Sequence, residues 1–204
     1  GDQANSQVQA QRIPGVLVDK NGLVMVSGLP FPDQMPLSRL GNFKVLTAVG
    51  PAEEGYPARF LGKGHSPHVA FVRVGDPKPL ADLPILSFEE APVQIGDELL
   101  MISPSDQREK PIFAIGTCNM ELDTPAQGWG LTAAAAPGCP AFLLDGKAVG
   151  VVAGRQNGQQ IQPYVLSAKE VLPDIRNPPV EPSRVSSSLP AQPASRARGW
   201  LGLV

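Results

Sequence analysis

The chain has 204 residues, long enough for one larger domain or two small barrels sharing an interface. Its 17 Lys and Arg against 19 Asp and Glu leave a net charge of −2, which gives no electrostatic case for nucleic acid or an anionic membrane as partner. No apolar run approaches the roughly 20 residues of a spanning helix, so membrane insertion is not expected either.

Proline (23) and glycine (21) are the compositional signal, and they are spread along the whole chain. Proline stops helices and glycine supplies the positive φ of tight turns. Set between short β-branched runs, they point to an all-β barrel or sandwich. Residues 1–11 are polar and glutamine-rich and read as a flexible lead. Val16 to Val18 and Leu23 to Val26 flank Asn21-Gly22, which predicts a hairpin with a type I′ turn. Strands are expected at Phe43 to Val49, at Arg59 to Leu61 before a Gly-Lys-Gly break, and at Val69 to Val74. Asp76 to Leu86, with three prolines, reads as a connecting loop.

The second half continues in the same style. Glu98 to Ile102, Pro111 to Ile115 and Ala141 to Leu144 read as strands. Asp145-Gly146 turns the chain into Ala148 to Val152, and Gln160 to Leu166 is a last strand. Ser167, with Glu170 three residues on, has the capping-box spacing and predicts a short helix that Pro173 limits. Residues 177–198, rich in Pro, Ser and Arg, read as linker, and 199–204 turn apolar again.

Four segments carry a resemblance. They are Gly15 to Leu29; Ala58 to Lys63 with His68 to Val74; Val93 to Ile102; and Thr132 to Gly150. In order and spacing they resemble the protease domain of HtrA/Deg proteins, relatives of trypsin. The resemblance implies a double β-barrel of two six-stranded antiparallel Greek-key barrels followed by a short C-terminal helix. It divides the chain into a first barrel over 12–90 and a second barrel with its helix over 91–176. The linker over 177–198 would lead to the truncated start of a PDZ-like domain at 199–204. It also implies an extracytoplasmic, periplasmic or secreted, setting. Ala133 to Ala136, which could pass for helix, then belong to the strand and loop before the nucleophile.

The same resemblance locates the chemistry. A serine protease needs a nucleophile, a histidine base and a carboxylate that orients it, with two backbone N–H groups aimed at the oxyanion. The base position falls on Leu29, which accepts no proton. The carboxylate position falls on His68. The nucleophile position falls on Cys139 or Pro140, in a loop one residue shorter than the family's. The oxyanion loop is Pro137, Gly138, Cys139 and Pro140. In either alignment a proline removes one oxyanion donor, worth about 100- to 1000-fold in rate. Loss of the base costs at least a further few hundredfold. The expectation is a catalytically inactive domain that binds peptides or unfolded or partner proteins, with homo-oligomerisation open. The alternatives are an active peptidase using Cys139 with His65 or His68 as base, and a purely structural or oligomerisation domain.

The remaining chemistry-bearing residues have plain readings. Cys118 and Cys139 either pair or stay free and buried. His65 and His68, three apart, are an exposed loop pair rather than metal ligands, because zinc takes three or four protein ligands and none completes the set. Neither a metal nor another cofactor is expected. Trp129 either lines a peptide groove or packs on the second barrel from a loop. Ser27, Ser103, Ser105 and Asp97 read as turn residues.

Overall fold

The computed structural model describes residues 12–33, 42–47, 55–105, 110–124, 126–157 and 160–180. The lead at 1–11, most of the linker and the 199–204 segment lie outside the described residues. The fold is almost entirely β. Strands β1 (Gly15–Leu17), β2 (Leu23–Ser27), β3 (Phe43–Val45), β4 (Tyr56–Lys63) and β5 (Val69–Val74) form one antiparallel sheet. Strands β6 (Glu98–Ser103), β7 (Ile112–Leu122), β8 (Gly128–Leu131), β9 (Pro140–Leu143), β10 (Ala148–Asn157) and β11 (Gln160–Ser167) form the other. Helix α1 (Ala168–Arg176) closes the described chain.

The second sheet is a closed six-stranded barrel in the order β10-β11-β8-β7-β6-β9. The first, in the order β1-β2-β5-β4-β3, has five strands among the described residues and does not close. The two-barrel architecture thus holds with an open half-barrel in first place. Three cores follow from the alternation of side chains along the strands. One fills the closed barrel around Leu99, Met101, Val149 and Val165. One lies beneath the half-barrel with Val24, Phe31 and Val72, where Phe31 meets Phe60 at a tilt with ring centroids 4.8 Å apart. The largest joins the two sheets and the helix through Leu23, Phe71, Val151, Leu166 and Val171.

Local chemistry departs from expectation at several turns. Gly22 has φ 76°, but Asn21 does not adopt positive φ, so the first hairpin is not type I′. Asp19 Oδ1 instead accepts the N–H groups of Asn21 and Leu23 at 2.8 and 2.9 Å, an Asx turn that sets a longer loop. Strand β7 runs well past Ile115, and Trp129 lies on β8 rather than in a loop, buried in the barrel core. Ser167 caps α1 by accepting from Lys169 N at 3.3 Å. Glu170 does not reciprocate; its carboxylate takes the Gln127 N–H at 3.1 Å, so the capping box is half made. Residues 133–136 form no helix, and Asp97 is a turn residue whose carboxylate accepts Gln94 N at 2.8 Å.

The two cysteines stay unpaired and buried. Cys118 lies next to Thr117, which pairs with Glu98 at one end of β6, whereas Cys139 meets Ser103 at the other end. Five strand steps, roughly 16 Å, separate those ends, far beyond the span of a disulfide.

Candidate functional site

The site lies where the half-barrel meets the closed barrel. Strand β2 ends at Ser27, and Gly28 turns the chain outward. Its N–H donates to the His68 carbonyl at 2.7 Å, and Ser27 Oγ accepts the Leu29 N–H at 3.3 Å. A Cβ on Gly28 would stand 2.3 Å from the Pro67 carbonyl, so only glycine lets the two segments approach this closely. Leu29 and His68 are thereby brought to neighbouring backbone positions.

Across the junction, Gly154 of β10 makes the floor. A side chain there would meet Ile161, Leu29 and Pro137 at 2.8, 3.1 and 3.6 Å. Leu29, which the resemblance matches to the base, therefore sits beside the 137–140 loop, which it matches to the nucleophile. The positions that the sequence associates with a triad come together in space, and the side chain at the base position is aliphatic.

The 137–140 loop turns on Gly138, at φ 101°. A Cβ there would be 2.4 Å from the Pro14 carbonyl, so the loop is pressed against the half-barrel. Gly138 N–H donates to the Val152 carbonyl at 2.7 Å, and Val152 N–H donates to the Cys139 carbonyl at 2.8 Å. Cys139 N–H donates to the Ala136 carbonyl at 3.3 Å. Pro137 and Pro140 have no N–H to give. Whichever residue is matched to the nucleophile, the amides of this loop are absent or already bonded within the protein.

Cys139 points inward. It is 1% exposed in the core of the closed barrel, and its thiol lies 3.0 Å from Ser103 Oγ. Burial pushes the thiol pKa up, against a smaller opposing effect of the Ser103 hydrogen bond. Nucleophilic cysteines are instead depressed by a neighbouring imidazolium or helix N-terminus. Neither histidine plays that part. His68, half-buried, meets Tyr164 edge-on with ring centroids 5.8 Å apart. Desolvation holds its pKa below the usual value, ahead of the raising effect of Glu170. His65 is tied to α1: its Nδ1 lies 2.7 Å from Asp174 Oδ1.

Asp174 is the residue that sequence reasoning missed. Fully buried, it also accepts the backbone N–H groups of His65 and Ser66, at 2.8 and 3.2 Å. A single acid after Pro173 on an amphipathic helix carries no signal of burial. His65, Ser66, His68, Glu170 and Asp174 border a cavity of about 280 Å³ at the foot of the helix. Among the described residues no group of three or more His, Cys, Asp or Glu is placed to share a metal ion.

No family model and no curated protein sequence matches the chain. Solved structures do. The chain is similar to the protease domain of MamO from Magnetospirillum magneticum, with TM-score 0.58 and 16% identity over 81% of this chain and 89% of that one. It is similar to Rv3671c from M. tuberculosis in an inactive mutant form, at 0.57 and 19% over 81% and 82%. It is also similar to the HtrA-type protease AlgW solved with a decapeptide, at 0.55 and 14% over 79% and 50%. Rv3671c appears in both inactive and active forms among these relatives in shape. At these identities the likeness is one of fold: the chain has the trypsin-like double-barrel fold of HtrA-type proteases.

Proposed function

We propose that this domain binds extended segments of peptides or unfolded proteins and does not cleave them. The observation that carries the reading is Leu29: its side chain stands against Gly154 and beside Pro137, where a base would have to stand. The bonded amides of Gly138 and Cys139 point the same way, since an oxyanion would have to displace the bonds they already make.

A route for binding remains. Strand β9 pairs with β10 only as far as Val151, and the 138–139 loop continues that edge to Val152. At Gly154 β10 is paired to β11. An extended peptide added along the other side would gain ladder hydrogen bonds, with Leu29 and Pro137 as an apolar wall for its side chains. AlgW was solved with a decapeptide, which makes peptide binding a reasonable expectation for the shared fold. The reading includes an extracytoplasmic setting and a PDZ module beyond the linker.

The test is fluorescence anisotropy against a library of extended and denatured segments, with product analysis by mass spectrometry in the same tubes. Saturable binding without cleavage supports the reading. Absence of saturable binding across the library removes the binding part of it.

A further inference from the structure

The outer face of the closed barrel breaks the usual alternation. An antiparallel barrel facing water carries polar residues outward. On β6 the inward residues are Leu99 and Met101, both fully buried, so Leu100 and Ile102 point outward. Their cross-strand partners on β7 are Ile115 and Phe113, which are 55% and 60% exposed. Four apolar side chains thus form two adjacent rows on one face. The stripe continues under cover, because Phe142 pairs with Leu100 on the other side and is packed into the joint core. Only the β6–β7 part emerges. Phe113 and Ile115 are more than half exposed and Leu100 and Ile102 partly so, and contiguous exposed apolar patches are often functional.

Among the described residues, the rim of this face carries opposite charges at its two ends. Glu98, exposed, lies in the row beyond Leu100 and Ile115. Lys110, exposed, lies beyond Phe113 at the hairpin end of β7. Consider a two-fold axis lying between two such faces and crossing the strands. It stacks β6 on β6 and β7 on β7 in opposite directions. With the axis between the two apolar rows, Phe113 of one copy covers Ile115 of the other, and Ile102 covers Leu100. Glu98 of each copy then comes to the end of the partner face that carries Lys110. A face acidic at one end and basic at the other complements itself under this operation, which is what an isologous interface requires. The apolar rows would supply the dry centre and the charged ends the rim of a modest sheet-on-sheet contact.

We propose that the β6–β7 face is the seat of a symmetric homodimer of this chain. The inference does not rest on the peptide-binding reading.

Sedimentation equilibrium of the 204-residue chain, up to about 100 μM, tests it. The expected result is a concentration-dependent doubling of mass, with hydroxyl-radical oxidation of the Phe113 and Ile115 side chains slowing as concentration rises. Phe113→Lys should weaken association at least tenfold while leaving the circular dichroism unchanged, because the side chain is outside the core. Glu98→Lys and Lys110→Glu should each weaken it, more so at low salt, and the double variant should recover it. A chain that stays monomeric throughout would overturn the proposal, as would a dimer indifferent to Phe113→Lys. Shielding of the Phe113 and Ile115 side chains from hydroxyl-radical oxidation at every concentration would mean that the chain covers the face itself, and would overturn it equally.

Discussion

Asp174 and His65 are joined across 109 residues by two hydrogen bonds, one from the backbone N–H at 2.8 Å and one through the ring Nδ1 at 2.7 Å. The carboxylate is fully buried while the His65 side chain is 89% exposed. The asymmetry says what the pair is for. Asp174 accepts the two successive amides of the loop before β5 and fastens the half-barrel to α1, and the imidazole is an accessory to that clamp.

Asp174→Ala should therefore cost about 3 kcal/mol, since it leaves buried backbone donors without an acceptor. His65→Ala, which removes one exposed ring, should cost no more than about 1 kcal/mol. Urea unfolding of both variants measures the difference. Equal costs would mean that the imidazole, not the amide clamp, holds the loop.

Gly138→Ala should destabilise by about 3 kcal/mol, combining a φ of 101° with a built Cβ 2.4 Å from the Pro14 carbonyl. Gly146→Ala shares the positive φ, 92°, but has nothing within 4 Å of the added carbon, and should cost about 1 kcal/mol. Thermal unfolding should rank the two in that order. The reverse ranking would show that the loop is not pressed on the half-barrel.

Both thiols should resist alkylation in the native state and react quickly in denaturant. Burial pushes Cys118 up to about 11, with the Asp97 carboxylate adding to the effect, and pushes Cys139 in the same direction. A thiol whose pKa is raised on folding favours the native state below its unfolded value near 9. That contribution is lost as pH rises through about 11. Stability should fall over that window, and Cys118→Ala should flatten the fall. Rapid native alkylation at pH 8 would contradict the buried placement.

His68 has the opposite sign. Its folded pKa is lowered, first by desolvation, so its contribution is present above the ordinary value of 6.5 and is lost as pH falls through the folded value. A titration of the ring by NMR should give a midpoint below that of a free histidine. His68→Gln should remove part of the acid sensitivity between neutral pH and the midpoint. A midpoint above 6.5 would mean that Glu170 outweighs burial.

The strands were legible where alternation was clean. Glu98 to Ile102 reads directly from its alternation, and Val69 to Val74 from its apolar run, which is buried on both faces; each has Gly or Pro near its ends. Gly116 to Leu122 and Gly128 to Leu131 were not legible. They mix Gly, Thr, Asn and Glu, and they are strands because the barrel closes on them, with Gly128 and Gly116 pressed within 2.2 and 2.0 Å of neighbouring carbonyls if given a Cβ. At the site, the identities of Leu29 and Pro140 followed from the resemblance. The inward turn of Cys139 and the occupied amides did not, because they depend on the 137–140 loop being zipped onto β10. Asp174 left no trace in sequence, since burial of an acid depends on which donors the fold brings to it.

The most direct test of the central claim is a prolonged incubation of the wild-type domain and of Cys139→Ala with a diverse peptide library, read by mass spectrometry. The account predicts identical product spectra at the uncatalysed background. Cleavage products made by the wild type and missing from Cys139→Ala would contradict it.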